Sequence, residues 1–209
     1  MGREELVKEL ISGGVLKSKK VIAAFRLVPR EAFVPGPLKS AAYIDEPLPI
    51  GAGQTISAPH MVAVMTEALG VKNGQKVLEV GTGSGYQAAI LSAINKKGII
   101  YTIELQPELF ESAKQNLKSY KNVRVFSGDG SLGLPEFAPY DRIIATAGSP
   151  GIPKQWIKQL KKGGRIVAPV GSMYEQRLVL VGKKNGRIIE EDLNFPSVFV
   201  PLRGLYGWR

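Results

Sequence analysis

The stretch Val77-Leu78-Glu79-Val80-Gly81-Thr82-Gly83-Ser84-Gly85-Tyr86 runs an apolar strand into three alternating glycines and then a helix. Glycines at such a turn let the main chain approach a ligand closely, and the helix behind them aims free N–H groups at it. A nicotinamide enzyme would usually carry G-x-G-x-x-G, with the third glycine one residue later. Here the spacing is G-x-G-x-G, preceded by the acidic Glu79. That shape suits S-adenosylmethionine, which has no pyrophosphate but carries an amino-acid carboxylate and ammonium. A purely structural turn is the competing reading of the glycines alone.

Two acidic residues follow in the same order as the strands. Glu104 ends the second strand, where a carboxylate can accept hydrogen bonds from both ribose hydroxyls of a nucleotide-like ligand. Its bland alternative is a strand-end carboxylate facing water. Gly128-Asp129-Gly130 follows the third strand, in the crevice at the carboxyl ends where such sheets bind ligands. Asp129 could accept from an adenine amino group while Gly130 presents its N–H; the alternative is an ordinary Asp-Gly turn. Taken together, the three elements read as a cofactor site, and S-adenosylmethionine fits it best.

A second constellation is Gly51-Ala52-Gly53-Gln54-Thr55-Ile56-Ser57-Ala58-Pro59-His60. It precedes a helix whose apolar face is Met61, Val62, Met65, Ala68 and Leu69. Ser57 is placed to cap that helix and Pro59 to sit in its first turn. Capping does not require the glycine-flanked Gln-Thr-Ile-Ser, nor the chain's sole histidine at the helix start. Function and scaffold are balanced for this loop on the residues alone.

The elements that must position these residues are legible from hydrophobic period and turn residues. From Lys76 onward, strands (Lys76–Val80, Ile99–Glu104, Val123–Ser127, Asp141–Thr146, Arg165–Pro169) alternate with helices (Tyr86–Ile94, Pro107 to about Ser119, Pro153–Lys161). Gly163-Gly164 is expected to stop the last helix. Such alternation predicts an α/β, doubly wound, mostly parallel sheet covered on both faces. Arg177–Val181 and Arg187–Glu191 flank Lys184-Asn185-Gly186, a hairpin signal that predicts an antiparallel C-terminal edge. Before the alternation come two amphipathic helices (Arg3–Ile11 and Lys19–Val28) and a segment in which Pro29, Pro35, Pro37, Pro47 and Pro49 forbid long helix. Residues 1–57 therefore read as a helical cap and substrate-side loop of one domain, and 58–209 as the Rossmann-like unit with its C-terminal hairpin.

The chain has 209 residues, 44% hydrophobic and 22% charged, which suits one globular domain with a buried core. It contains no cysteine and a single histidine, so thiolate and multi-histidine metal sites are excluded. No apolar run reaches the roughly 18 residues of a membrane span, and the N-terminus enters an amphipathic stretch, not an apolar signal core. A cytoplasmic enzyme is the expectation. The net charge of +10 would suit a polyanion. However, the basic residues come in short scattered groups, as on a Lys-rich solvated surface.

The sequence resembles the protein-L-isoaspartate O-methyltransferases, class I S-adenosylmethionine-dependent enzymes, over nearly its whole length. The resemblance is carried by Pro29-Arg30-Glu31-Ala32-Phe33-Val34-Pro35, by Gly53 to Met61, and by Glu79 to Tyr86. It continues through Gly128-Asp129-Gly130, Tyr140-Asp141, Lys162 to Arg165 and Phe199-Val200-Pro201-Leu202. The Gln-Thr-Ile-Ser-Ala-Pro-His block is far more specific than the glycine loop. The resemblance implies that Ser57 is the catalytic serine and that Thr55, Ser57, Ala58 and Val200 meet substrate. It assigns cofactor contacts to Thr55, Ile56, His60, Gly81, Thr82, Gly83, Ser84, Glu104, Leu105, Asp129 and Gly130. No specific side-chain role carries over onto Arg203.

The reaction so implied is methyl esterification of the free α-carboxylate of isoaspartyl residues in damaged proteins and peptides, with S-adenosylhomocysteine as the second product and no metal. A carboxylate with a pKa of about 4 is already ionised at neutral pH, so the step needs no general base. A nucleic-acid methyltransferase is a rival supported by the charge. Against it, Ala145-Thr146-Ala147-Gly148-Ser149-Pro150 stands where amino-methylating enzymes carry Asn or Asp followed by Pro-Pro and an aromatic. A non-catalytic S-adenosylmethionine sensor is a second rival, and a nicotinamide oxidoreductase, disfavoured by the glycine spacing, is a third. Isoaspartyl proteins and peptides are the expected partners; nucleic acid and membrane are not.

Overall fold

The structure, a computed structural model, describes residues 1–184 and 187–208. Its centre is a seven-stranded sheet in the order β5 (Val123–Ser127), β4 (Ile99–Glu104), β3 (Lys76–Val80), β6 (Tyr140–Ala145), β7 (Leu160–Gly171), β8 (Gln176–Lys184), β9 (Arg187–Ser197). Strands β3, β4, β5, β6 and β7 run parallel. Strands β8 and β9 then turn back antiparallel, as the C-terminal pattern predicts. The strand order reverses beside β3, so the carboxyl ends of β3, β4 and β6 open into a crevice at the switch point.

Side chains alternate between the two faces with the period of two that a strand imposes. On one face Val77, Ile100, Ile144 and Val167 pack against α2 (Lys19–Leu27), α3 (Pro59–Leu69) and α4 (Tyr86–Ile94), with α1 (Arg3–Ser12) behind them. On the other, Leu78, Val80, Ile143 and Ile166 surround the fully buried Trp156 of α6 (Lys154–Gln159). The N-terminal residues Leu6, Leu10, Phe25 and Phe33 thus share a core with the sheet. Helix α5 (Pro107–Asn116) starts at the expected proline.

Several boundaries differ from the sequence expectation. Gly163-Gly164 does not stop a helix: α6 ends at Gln159 and β7 begins at Leu160, which pairs with Tyr140. The register then jumps to Arg142–Arg165, so the glycine pair lies in a bulge, with Gly163 at φ +77°. Helix α5 ends at Asn116, short of Ser119, because Asn116 turns its amide onto the Ser84 carbonyl (3.0 Å) and Leu117 packs against Gly85. Strands β8 and β9 are longer than expected, and the hairpin residues Asn185 and Gly186 lie outside the described residues. The proline-rich loop also contains a two-stranded ribbon, β1 (Leu48–Gly51) with β2 (Gln54–Ile56), joined by Ala52-Gly53.

Candidate active site

The glycine loop takes the backbone path that its residue types allow. Gly81, Gly83 and Gly85 have φ of +90°, +54° and +91°, in the left-handed region that other residues enter only with strain. At Gly81 a side chain would also sit 2.5 Å from Thr146 Oγ1. Beneath the loop lies a cleft of about 920 Å³, its open mouth included, lined by Ile56, Gly81, Gly83, Glu104, Leu105 and Gly130 among others. Thr55, Thr82 and Ser84 line it too. The Thr82 hydroxyl itself is turned away, 2.7 Å from that of Thr102. Gly130 is required by closeness, since a Cβ there would come within 2.6 Å of Val80 Cγ1.

Glu104 is buried at the end of β4, and each of its oxygens accepts a backbone N–H: Oε2 from Gly83 at 2.8 Å and Oε1 from Gln106 at 2.9 Å. The carboxylate is thereby fixed in the cleft wall with lone pairs to spare. Glu79, one strand away, is fully buried and treated differently. It accepts a hydrogen bond from Thr102 Oγ1, and its other oxygen is without a partner. Burial, with the Glu104 charge adding to it, pushes its pKa up to about 8. Glu79 is therefore mostly a neutral acid at pH 7 and supports the loop from behind.

Asp129 follows β5 at the carboxyl end of the sheet, and its side chain has partners within the protein. Its carboxylate is occupied by the Ser131 N–H (2.8 Å) and hydroxyl (2.6 Å) through Oδ1, and by the Leu205 N–H (2.8 Å) through Oδ2. Gly204 packs so tightly on it that no side chain would fit there. Asp129 does not line the cleft; it clamps the C-terminal segment, whose residues Val200, Pro201, Leu202 and Arg203 form one wall. The competing partner comes from 76 residues further along the chain.

Ser57 is not the cap of α3. Ala58 occupies the N-cap position without a side-chain bond, and Pro59 is the first helical residue. The exposed N–H of His60 is taken by Asp45 Oδ1 (2.8 Å), which also meets His60 Nδ1 at 3.0 Å. Asp45 thus satisfies the helix start from outside, and the Ser57 hydroxyl makes no hydrogen bond among the described residues. It faces a second, neighbouring groove lined by Pro47, Ala58, His60, Met61, Glu175 and Phe199 among others. Four residues line both spaces: Thr55, Ser57, Thr146 and Val200. His60, expected against the cofactor, lies only in the second groove, because its bond to Asp45 holds the ring on that side.

Asp45 and Thr146 are positions that sequence reasoning did not single out. Thr146 follows β6 and donates to the Gly81 carbonyl, tying the glycine loop to the junction of the two spaces. Asp45 carries no motif, and its partner is 15 residues away. Among the described residues no group of three or more His, Cys, Asp or Glu could hold a metal ion, and no helix is long and apolar enough to cross a membrane.

Residues 1–206 match the family model for protein-L-isoaspartate(D-aspartate) O-methyltransferase. A protein-L-isoaspartate O-methyltransferase from Methanococcus aeolicus is 54% identical over 209 residues, covering 99% of this chain and 96% of that one. A solved protein-L-isoaspartate O-methyltransferase superposes with a TM-score of 0.88 at 34% identity, over 99% of this chain and 67% of the other. Another, described as a protein-L-isoaspartate O-methyltransferase from Plasmodium falciparum in complex with S-adenosyl-L-homocysteine, gives 0.85 at 26% identity over 97% and 99%.

Proposed function

The chain belongs to the protein-L-isoaspartate(D-aspartate) O-methyltransferase family, and on that premise we propose a division of labour between its two clefts. The protein is an S-adenosylmethionine-dependent carboxyl methyltransferase that esterifies the free α-carboxylate of L-isoaspartyl residues in damaged proteins, a repair activity. The glycine-loop cleft has the groups this cofactor needs: a left-handed main-chain turn, the fixed Glu104 carboxylate as acceptor and the apolar Ile103, Leu105 and Leu109. When bound, S-adenosylmethionine supplies a methyl group on a cationic sulfur.

In this reading Gly81, Thr82, Gly83, Ser84 and Gly130 hold the cofactor through their main chain, Glu104 through its side chain, and Ile56 and Leu105 by packing. Asp129 acts at one remove, by holding the C-terminal wall. Thr55, Ser57, Ala58, His60 and Val200 meet the substrate polypeptide. Ser57 donates a hydrogen bond that orients the isoaspartyl carboxylate toward the shared space. A hydroxyl suits the task better than a buried cation, because a strong grip on the charge would blunt the nucleophile. With the carboxylate already ionised, placement supplies most of the acceleration. The observation that carries this reading is the position of Ser57 at the junction of the two spaces with its hydroxyl unspent.

Residues 1–57 serve as a cap that shapes the substrate groove within the same domain. The reading places the enzyme in the cytoplasm and gives its +10 charge no nucleic-acid role, since Ala145–Pro150 lacks the Asn or Asp, Pro-Pro and aromatic with which amino-methylating enzymes hold a flipped base. The test is methyl transfer from labelled S-adenosylmethionine to a matched isoaspartyl and aspartyl peptide pair, with bulk tRNA alongside. Base-labile label on the isoaspartyl peptide alone is expected. Stable label on tRNA with neither peptide modified would overturn the reading.

A further inference from the structure

Arg30, in the Pro29–Pro35 motif, is completely buried, and among the described residues it forms no ion pair, although the Asp45 charge is close enough to favour its charged form. Its Nε donates to the Ala42 carbonyl at 2.8 Å and its Nη2 to the Glu46 carbonyl at 3.4 Å, while Nη1 has no partner. The guanidinium lies 5.1 Å over the ring of Tyr86, the first residue of α4 after the glycine loop and part of the cofactor cleft. Burial lowers its pKa to about 10, so it remains a cation at neutral pH. Such a charge is costly to bury, and an apolar side chain of similar volume would fill the same space with a smaller desolvation penalty.

What an apolar side chain would not do is hold two carbonyls. Those carbonyls bracket Asp45, and Asp45 is the residue that fixes both the backbone N–H and the ring of His60. Ser57 lies just before α3, three residues ahead of His60. One side chain therefore joins the loop that carries Asp45, and through it the groove wall, to the helix that carries the cofactor loop.

We propose that Arg30 is a positioning residue for the methyl transfer: it holds the segment from Ala42 to Glu46 so that Asp45 sets His60 and the Ser57 turn against the substrate groove. This rests on the reading that the groove beside Ser57 takes the isoaspartyl polypeptide. Arg30 touches neither substrate nor cofactor, and its effect is on the alignment of the wall.

The experiment is steady-state kinetics of Arg30→Met, Arg30→Lys, Asp45→Ala and the Arg30→Met/Asp45→Ala double variant. An isoaspartyl peptide is varied at saturating S-adenosylmethionine, with S-adenosylhomocysteine affinity and thermal midpoint measured in parallel. Arg30→Met is expected to raise the peptide KM roughly tenfold, a fraction of what an ångström of misplacement can cost. S-adenosylhomocysteine affinity should stay near wild type, and Arg30→Lys should recover part of the loss. Asp45→Ala should reproduce the KM effect, and the double variant should be no worse than Asp45→Ala alone, because both act along one chain of contacts.

A lowered thermal midpoint with unchanged peptide KM would overturn the proposal and leave Arg30 a packing residue. So would strictly additive effects in the double variant, or a loss of cofactor affinity that tracks the KM change. Asp45 is 34% exposed, so its variant should fold even where Arg30→Met does not, and an unchanged KM there overturns the proposal equally. Wild-type enzyme that left the isoaspartyl peptide unmodified would instead defeat the functional reading on which the proposal rests.

Discussion

On the glycine-loop side of Ser57, the side chosen for the cofactor in the proposed reading, polar groups are bound to one another. Gly83 and Gln106 donate to Glu104, Thr82 and Thr102 lean on Glu79, and Thr146 holds the Gly81 carbonyl. On the substrate side, the Ser57 hydroxyl makes no hydrogen bond among the described residues, and His60 has one ring nitrogen committed to Asp45. The groove is walled by Pro47, Met61, Pro196, Phe199 and the exposed Val198. On the proposed assignment of the two sides, the difference follows from what each would bind. A cofactor of fixed shape can be met by a preorganised main chain, where donors cost no reorganisation at the moment of reaction. A damaged polypeptide varies in every side chain, so its groove keeps donors for the one group all substrates share and offers apolar walls to the rest.

That contrast breaks most sharply if the two sides are not separable. Ser57→Ala should lower kcat roughly a hundredfold, the usual cost of losing an orienting donor, and leave S-adenosylhomocysteine affinity unchanged by calorimetry. Equal losses in both would mean that Ser57 shapes the cofactor cleft. Glu104→Gln should show the reverse pattern. It keeps the shape but turns one acceptor into a donor facing the N–H of Gly83 or Gln106. Cofactor affinity should fall about tenfold, with kcat at saturation near wild type. A kcat loss without an affinity loss would place Glu104 on the wrong side of the comparison.

The two sides also differ in how far the sequence reveals them. β3, α4, β4 and β5 are found at the boundaries that their apolar runs and flanking glycines mark, because local residue types dictate both the strand ends and the turn. The glycine loop and Glu104 are legible for the same reason. The start of β7 is not, since Gly163-Gly164 is a helix stop by local preference and a bulge only once Leu160 has paired with Tyr140. Pro47 and Pro49 read as loop, yet Pro49 pairs with Thr55 in a short ribbon. Strand position points Asp129 at the cofactor, yet a tail residue competes for its carboxylate. Asp45 and Arg30 act only through distant partners, so no spacing along the chain could announce what they do. The family resemblance supplies Ser57; the structure adds that Asp45, not Ser57, takes the helix start, which leaves the Ser57 hydroxyl without a hydrogen bond among the described residues.

The smallest effect sharpens the comparison within the cofactor side itself, where two neighbouring acids are held in opposite ways. Glu104 is given two N–H donors; Glu79 is given one hydroxyl and full burial, and its pKa rises to about 8. Because the folded value lies above the unfolded one, the folded state binds the extra proton between them. The stability Glu79 contributes is thus complete below about pH 4.5 and lost as pH rises toward about 8. Glu79→Gln mimics the protonated acid and cannot ionise, so it should remove that slope. Thermal midpoints of the two proteins should lie close together at about pH 5 and diverge by about pH 9, with the variant the more stable there. Cofactor affinity should change less than in Glu104→Gln, because Glu79 meets the loop only through Thr102 and Thr82. Curves that stay parallel over the whole range would show that Glu79 does not change its charge on folding, and the two acids would then differ in partners alone.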